Sequence, residues 1–179
     1  GIYQLLSPAL SLSFSLTAAG YQTAISKYVA ADSAKRPSGN LKPLLAGTSI
    51  TLPLSLVTNA ILFFSADPIG IFLLKDHRTV PMLRILAFSV PFAALHACIN
   101  GYFYGKKKAS VPALTQLLEQ LARVSCVFLV TGADLAEGRT PSINAAVLGL
   151  TVGEIFSMLI ALVCLYIHLY PDNRILSLP

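Results

Sequence analysis

Four side chains on an otherwise greasy helix carry the first hint of chemistry. In the stretch 106–124, KKKASVPALTQLLEQLARV, three lysines and a Ser-x-Pro lead into leucine-rich sequence interrupted by Gln116, Glu119, Gln120 and Arg123. These four fall at i, i+3, i+4 and i+7, so a helix gathers them into one stripe. On a soluble protein such a stripe would turn to water. Here the flanking segments are long and apolar enough to cross a bilayer, where each charge costs roughly 2.5 to 3.5 kcal/mol on insertion scales and normally faces a partner or a wet cavity. The chemistry to expect is the handling of a polar or charged solute within a membrane.

Other polar groups interrupt other apolar stretches. Glu154 stands midway along the last of them, and His96 and Asn100 lie four apart on one helix face. At 1.5 Å per residue, Glu154 and Arg123 each sit roughly 18 Å from the start of their own helices, one entered from each side of the membrane. Both then lie near the bilayer midplane. The spacing predicts that Arg123 is balanced by Glu119 on its own helix and by Glu154 across a helix interface. Such a group could line a substrate pathway or only clamp two helices together. His96 and Asn100 could meet a substrate or simply each other.

Composition sets the class. The chain is 55% hydrophobic and only 12% charged, against roughly 25% charged residues in an ordinary soluble domain. Several windows of about 20 residues carry no charge, the length that spans a hydrocarbon core. The expected fold is an all-α integral membrane bundle of about five transmembrane helices. The net charge of +5 sits in short loops beside the spans, so it points to no nucleic-acid partner. Cys98, Cys126 and Cys164 lie in apolar stretches without CxxC or Cys/His spacing. They predict neither a disulfide nor a metal. No Walker loop, metal triad or nucleophile-base pair stands out, so the expectation is no enzyme, no cofactor and no catalytic residue.

The elements that must position these groups can be read in order. The predicted spans are 5–28, 41–65, 80–104, 111–131 and 142–170. In the first, Ser7, Ser11, Ser15, Ala19 and Thr23 recur every four residues as a small, weakly polar stripe. It suits close helix packing or an aqueous path. Pro43 and Pro81 stand near helix starts, where a missing N–H is cheap, while Pro53 and Pro91 lie inside spans and predict kinks. Asn59 is expected to hydrogen-bond a neighbouring helix, and Arg84 to reach for the surface. Gly101-x-x-x-Gly105 and the series Ala145, Gly149, Gly153, Ser157, Ala161 are small-residue faces on which helices can approach closely.

Loop charges give the orientation. Lys27, Lys35, Arg36, Lys42, the lysines at 106 to 108 and Arg174 fall on one side. Lys75, Arg78 and Arg139 on the other are diluted by Asp67, Asp76, Asp134 and Glu137. The positive-inside rule therefore makes loops 29–40, 105–110 and 171–179 cytoplasmic. Tyr28, Tyr102, Tyr104, Tyr166 and Tyr170 read as an interfacial belt on that side. The first span then runs from outside to inside. With a start at Gly1 and an end just after a Pro-Asp-Asn-Arg turn, the chain reads as a fragment with a helix expected upstream.

Gly1-Ile2-Tyr3-Gln4-Leu5 with Pro8, then Gly20 and Ala24-Ile25-Ser26-Lys27, resemble the second helix of the stage V sporulation protein B-like polysaccharide transporters, within the multidrug/oligosaccharidyl-lipid/polysaccharide exporter superfamily. The likeness continues through Arg84-Ile85-Leu86, Gly101-Tyr102-Phe103-Tyr104-Gly105, and Gln116 with Glu119-Gln120 and Arg123-Val124. Tyr21-Gln22 and Asn100 depart from the pattern. The resemblance implies that residues 1–179 are helices two to six of the N-terminal lobe of a two-lobed, MATE-like transporter, with the second lobe absent from this chain. It implies a flippase in the bacterial cytoplasmic membrane whose partners are membrane lipids, the missing helix and lobe, and a lipid-linked saccharide. Lys27, the lysines at 106 to 108 and Arg123 would then be the groups available to meet a pyrophosphate, although a topology signal is the stronger explanation of the loop lysines. The alternatives are a cation-coupled multidrug antiporter using Glu119 and Glu154, and a membrane scaffold whose polar residues only join helices.

Overall fold

The computed structural model describes residues 20–35, 41–138 and 144–170, together with Pro8, Ser11, Leu12 and Ser15. Its long helices are α1 (Gly20–Lys35), α2 (Lys42–Phe64), α3 (Thr79–Gly105), α4 (Ser110–Ala136) and α5 (Asn144–Leu169). A helical turn, Ala66–Pro68, and a π-helical turn, Ile69–Leu73, link α2 to α3. No strand occurs among the described residues. The helices α2 to α5 are each long and apolar enough to cross a membrane, and the chain is a multi-pass membrane protein.

Most boundaries agree with the sequence reading to within two residues, and two differ. Helix α1 continues to Lys35, so 29–35 of the expected loop are helical. The Ala30-Ala31 run favours helix. Of residues 5–19 of the first expected span only Pro8, Ser11, Leu12 and Ser15 are described, so Ser7 and Ala19 of its small-residue stripe lie outside the described residues, as do 36–40 and 171–179. Helix α4 runs on to Ala136: Gly132 weakens this stretch without ending it, and a positive-φ Gly138 stops the helix just beyond. Both α2 and α3 pass through Pro53 and Pro91 without a break.

Helix α3 is the centre of the bundle, packed on α1, α2 and α5, whereas α4 rests chiefly on α5. Apolar side chains fill both ends. Leu62, Ala66, Met82, Leu86 and Val147 form one cluster, and Ile25, Val29, Leu44, Ile99, Tyr102, Phe103 and Ala161 the other. Lipid tails are as apolar as leucine, so close fit holds such a bundle more than escape from water does. The expected glycine faces supply that fit. A Cβ at Gly101 would stand 2.6 Å from the carbonyl oxygen of Gln22, and one at Gly105 2.6 Å from that of Ser26. On α5, a Cβ at Gly149 would meet the Arg123 carbonyl oxygen at 2.9 Å, and one at Gly153 the Glu119 carbonyl oxygen at 3.2 Å. Backbones therefore touch at α1–α3 and at α4–α5.

Threonine hydroxyls along α2 are satisfied locally. Thr48, Thr51 and Thr58 each donate a hydroxyl proton to the carbonyl four residues back, which needs no outside partner. Asn59 makes no hydrogen bond with the described residues, in contrast to the expected interhelix bond. Arg84 pairs with Asp67 at 2.7 Å and lies 5.7 Å above the Phe63 ring. The turn after α3 closes with Lys108 N–H on Phe103 O and Lys107 N–H on Tyr104 O, and Lys107 takes the left-handed φ of 59° that this cap requires. Lys108 Nζ donates to His168 Nδ1 at 3.1 Å. The lysine turn, the end of α1 beside Gly105 and the end of α5 thus share the end that the charge rule assigns to the cytoplasm. Tyr102 leaves the expected aromatic belt: it is wholly buried, edge-on to Phe103 and His168. Tyr28, Tyr104, Tyr166 and Tyr170 remain exposed.

Candidate functional site

Between the two apolar clusters lies a polar one, centred on His96. The ring is buried in α3. Its Nε2 accepts from Asn100 Nδ2 at 2.8 Å and lies 3.2 Å from Thr115 Oγ1. With Nε2 accepting, Nδ1 carries the proton and donates to Ser157 Oγ at 3.0 Å. Ser157 passes its own proton to the Glu154 carbonyl at 3.2 Å, and Thr115 bonds Pro112 O at 3.0 Å. One turn of α3, one turn of α4 and one turn of α5 are thereby tied together.

Two carboxylates approach the same nitrogen without bonding it. Glu154 Oε2 lies 3.7 Å and Glu119 Oε2 4.0 Å from His96 Nδ1. Glu119 is 8% exposed, and its other oxygen accepts from Arg123 Nη2 at 2.5 Å across one helical turn. The helix places the two residues on one face, and Gly149 and Gly153 let α5 close against them. Arg123 Nε is buried and has no hydrogen-bond partner among the described residues.

These residues open on a cavity of about 310 Å³, bounded by Gln22 of α1, His96, Asn100 and Tyr104 of α3, Gln116 and Glu119 of α4, and Glu154 of α5. Arg123 lines a different hollow, with Val124, Val127, Phe128 and Thr131.

The expected site residues separate accordingly. His96, Asn100, Gln116, Glu119 and Glu154 are brought together, and Arg123 joins through Glu119. Lys27 is exposed on α1, and Gln120 faces outward from α4; neither borders the cavity. The Arg123–Glu119 pair forms as its spacing requires. The expected Arg123–Glu154 pair does not: no ion pair joins them among the described residues, and Glu154 Oε2 instead lies 3.7 Å from His96 Nδ1. Contact at Gly149 and Gly153 puts the α4 backbone, not the arginine head, against α5. His96 and Asn100 do meet each other, and both also face the cavity. The inward face of α4 is Pro112, Thr115 and Glu119, so the polar stripe is turned partly aside.

Gln22, Thr115 and Ser157 were missed. Ser157 lies on the small-residue face of α5 and Thr115 one turn before Glu119, so the four-residue spacing marked both. Their partners became visible only with the helices in place.

The family model for polysaccharide biosynthesis proteins matches residues 1–179. Over 165 residues this chain is 34% identical to Stage V sporulation protein B of Bacillus subtilis (strain 168), a stretch covering 92% of the chain and 32% of that protein. The chain therefore spans about a third of the length of this curated relative. No solved structure matches.

Proposed function

This chain belongs to the family of polysaccharide biosynthesis proteins, and from that premise we propose that it is part of a transporter moving a lipid-linked saccharide across the bacterial cytoplasmic membrane. In this reading residues 1–179 belong to the first of two lobes. A headgroup enters a polar cavity between the lobes while the polyprenyl tail stays in lipid, and rocking of the lobes carries the headgroup across. The observation that carries the reading is the polar cavity held between two apolar clusters of a multi-pass bundle. Polar groups so placed are costly in lipid and serve a solute path at that depth. Asn100, Gln22 and Gln116 would hydrogen-bond sugar or phosphate oxygens. Arg123 would hold Glu119 in place and keep the cavity wall rigid. The reaction makes and breaks no bond.

Reconstitution in liposomes tests this. A fluorescent polyprenyl-pyrophosphate saccharide should cross at least about tenfold more slowly with Asn100→Ala than with the native side chain. Equal rates would exclude the cavity as the path.

A second reading has one observation in its favour. Among the described residues the cavity lining carries two carboxylates and no lysine or arginine, which suits an exchanged cation. Cation-dependent efflux of a cationic drug, abolished by Glu119→Gln and accompanied by no lipid movement, would establish the antiporter instead.

A further inference from the structure

An acidic wall is a poor receptor for a pyrophosphate unless something positive stands between them. We propose that His96, Glu119 and Glu154 form a divalent-cation site whose open positions face the cavity, so that a bound zinc- or manganese-type ion presents itself to phosphate oxygens. The sequence predicted no metal, because the three residues lie on three helices with no ligand-type spacing. In the folded chain one ligand atom from each lies within 4.8 Å of the others.

The distances suit a small ion. Bonds of roughly 2.0 to 2.2 Å at tetrahedral angles put ligand atoms about 3.3 to 3.6 Å apart. His96 Nδ1 stands 3.7 Å from Glu154 Oε2 and 4.0 Å from Glu119 Oε2, so a contraction of a few tenths of an ångström closes these two sides, and the two carboxylates, within 4.8 Å of each other, draw together on the ion. The charges suit it too. The Glu154 carboxylate makes no hydrogen bond with the described residues, and only one oxygen of the Glu119 carboxylate is taken, by Arg123. Two ionised carboxylates outnumber one guanidinium inside the bundle, and a cation offsets the excess.

The surroundings are those of a supported ligand. Metal-bound histidines donate their other ring N–H to a fixed acceptor. Coordination at Nδ1 moves the ring proton to Nε2, where Thr115 Oγ1 stands at 3.2 Å, or Asn100 Oδ1 once the amide turns over. Ser157, released from Nδ1, keeps its bond to the Glu154 carbonyl. One imidazole among the ligands favours zinc or manganese over calcium, which takes six to eight oxygens. Three protein ligands leave at least one position for a solute oxygen.

The ion site stands on geometry alone; only its use toward pyrophosphate rests on the function proposed above. Untagged protein in detergent, titrated with Zn2+ and separately with Mn2+, should bind about one ion per chain. Glu154→Gln should weaken binding at least about tenfold. This variant is the decisive one, since Glu154 holds no side-chain hydrogen bond whose loss would unfold the bundle. Bound Mn2+ should show nitrogen coupling in its electron paramagnetic resonance, absent in His96→Asn, while His77→Ala leaves binding intact. Unchanged affinity in Glu154→Gln, no nitrogen coupling, or no binding by the native protein would each overturn the site. Failure of lipid movement with the ion still bound would instead remove the transport reading and leave the ion site.

Discussion

Helices α3 and α4 have the same length, 27 residues each, and opposite situations. Most of α3 is buried by three neighbours, and its polar groups His96, Asn100 and Ser89 all find protein partners. Most of α4 is exposed, with Leu117, Leu121 and Phe128 turned outward, and its polar stripe is divided between cavity, helix flank and outer surface. Yet the site needs both, an imidazole from the first and a carboxylate from the second. The contrast separates two jobs. A helix buried on all sides can hold a side chain in a fixed network; a helix resting on one neighbour can offer its charges to a cavity.

The contrast can be broken most forcefully at α3. Gly101→Leu would drive a side chain into the α1 backbone, and its cost should be about 3 kcal/mol or more, seen as loss of monodisperse protein on gel filtration. Next comes His96→Ala, which orphans Asn100 and the hydroxyls around it. Each buried group left unsatisfied costs about 1 to 3 kcal/mol, so a drop of roughly 3 kcal/mol is expected in detergent unfolding. A smaller loss follows Arg123→Ala, about 2 kcal/mol: removing one partner strands Glu119, but the arginine is partly exposed and the pair correspondingly weaker. The same measurement on Glu119→Ala and the double variant gives the coupling between them; a coupling near zero would dissolve the pair. At the bottom of the scale stands Gly132→Ala on α4. A Cβ there meets nothing within 4 Å, so helix propensity alone acts and stability should rise by about 0.5 to 1 kcal/mol. A fall would mean that α4 is covered by another part of the protein.

How far the sequence reached depends on what each feature requires. Spans α2 to α5 were legible because twenty apolar residues have few other uses. Gly101, Gly105, Gly149 and Gly153 were legible because period four on a helix makes a face. The Glu119–Arg123 and His96–Asn100 relations were legible for the same reason, each lying within one helix. Partnerships between helices were not. Glu154 was assigned to Arg123 on matching depth, and depth leaves rotation about the helix axis undetermined. Tyr102 looked interfacial by position, and only the packing of α5 placed His168 over it. Arg84 looked bound for water, and the turn after α2 brought Asp67 back to it.

By itself, then, the sequence determined that this chain spans a membrane as helices, which faces of those helices are small, and which residues are too polar to meet lipid. Those properties come from local periodicity and transfer energy, which act residue by residue along a helix. Tertiary structure alone decided that the Glu119 and Glu154 carboxylates converge on His96 Nδ1. Contact between helices depends on their mutual rotation and approach, set here by backbone touching backbone at four glycines, and no pattern within a single helix encodes that.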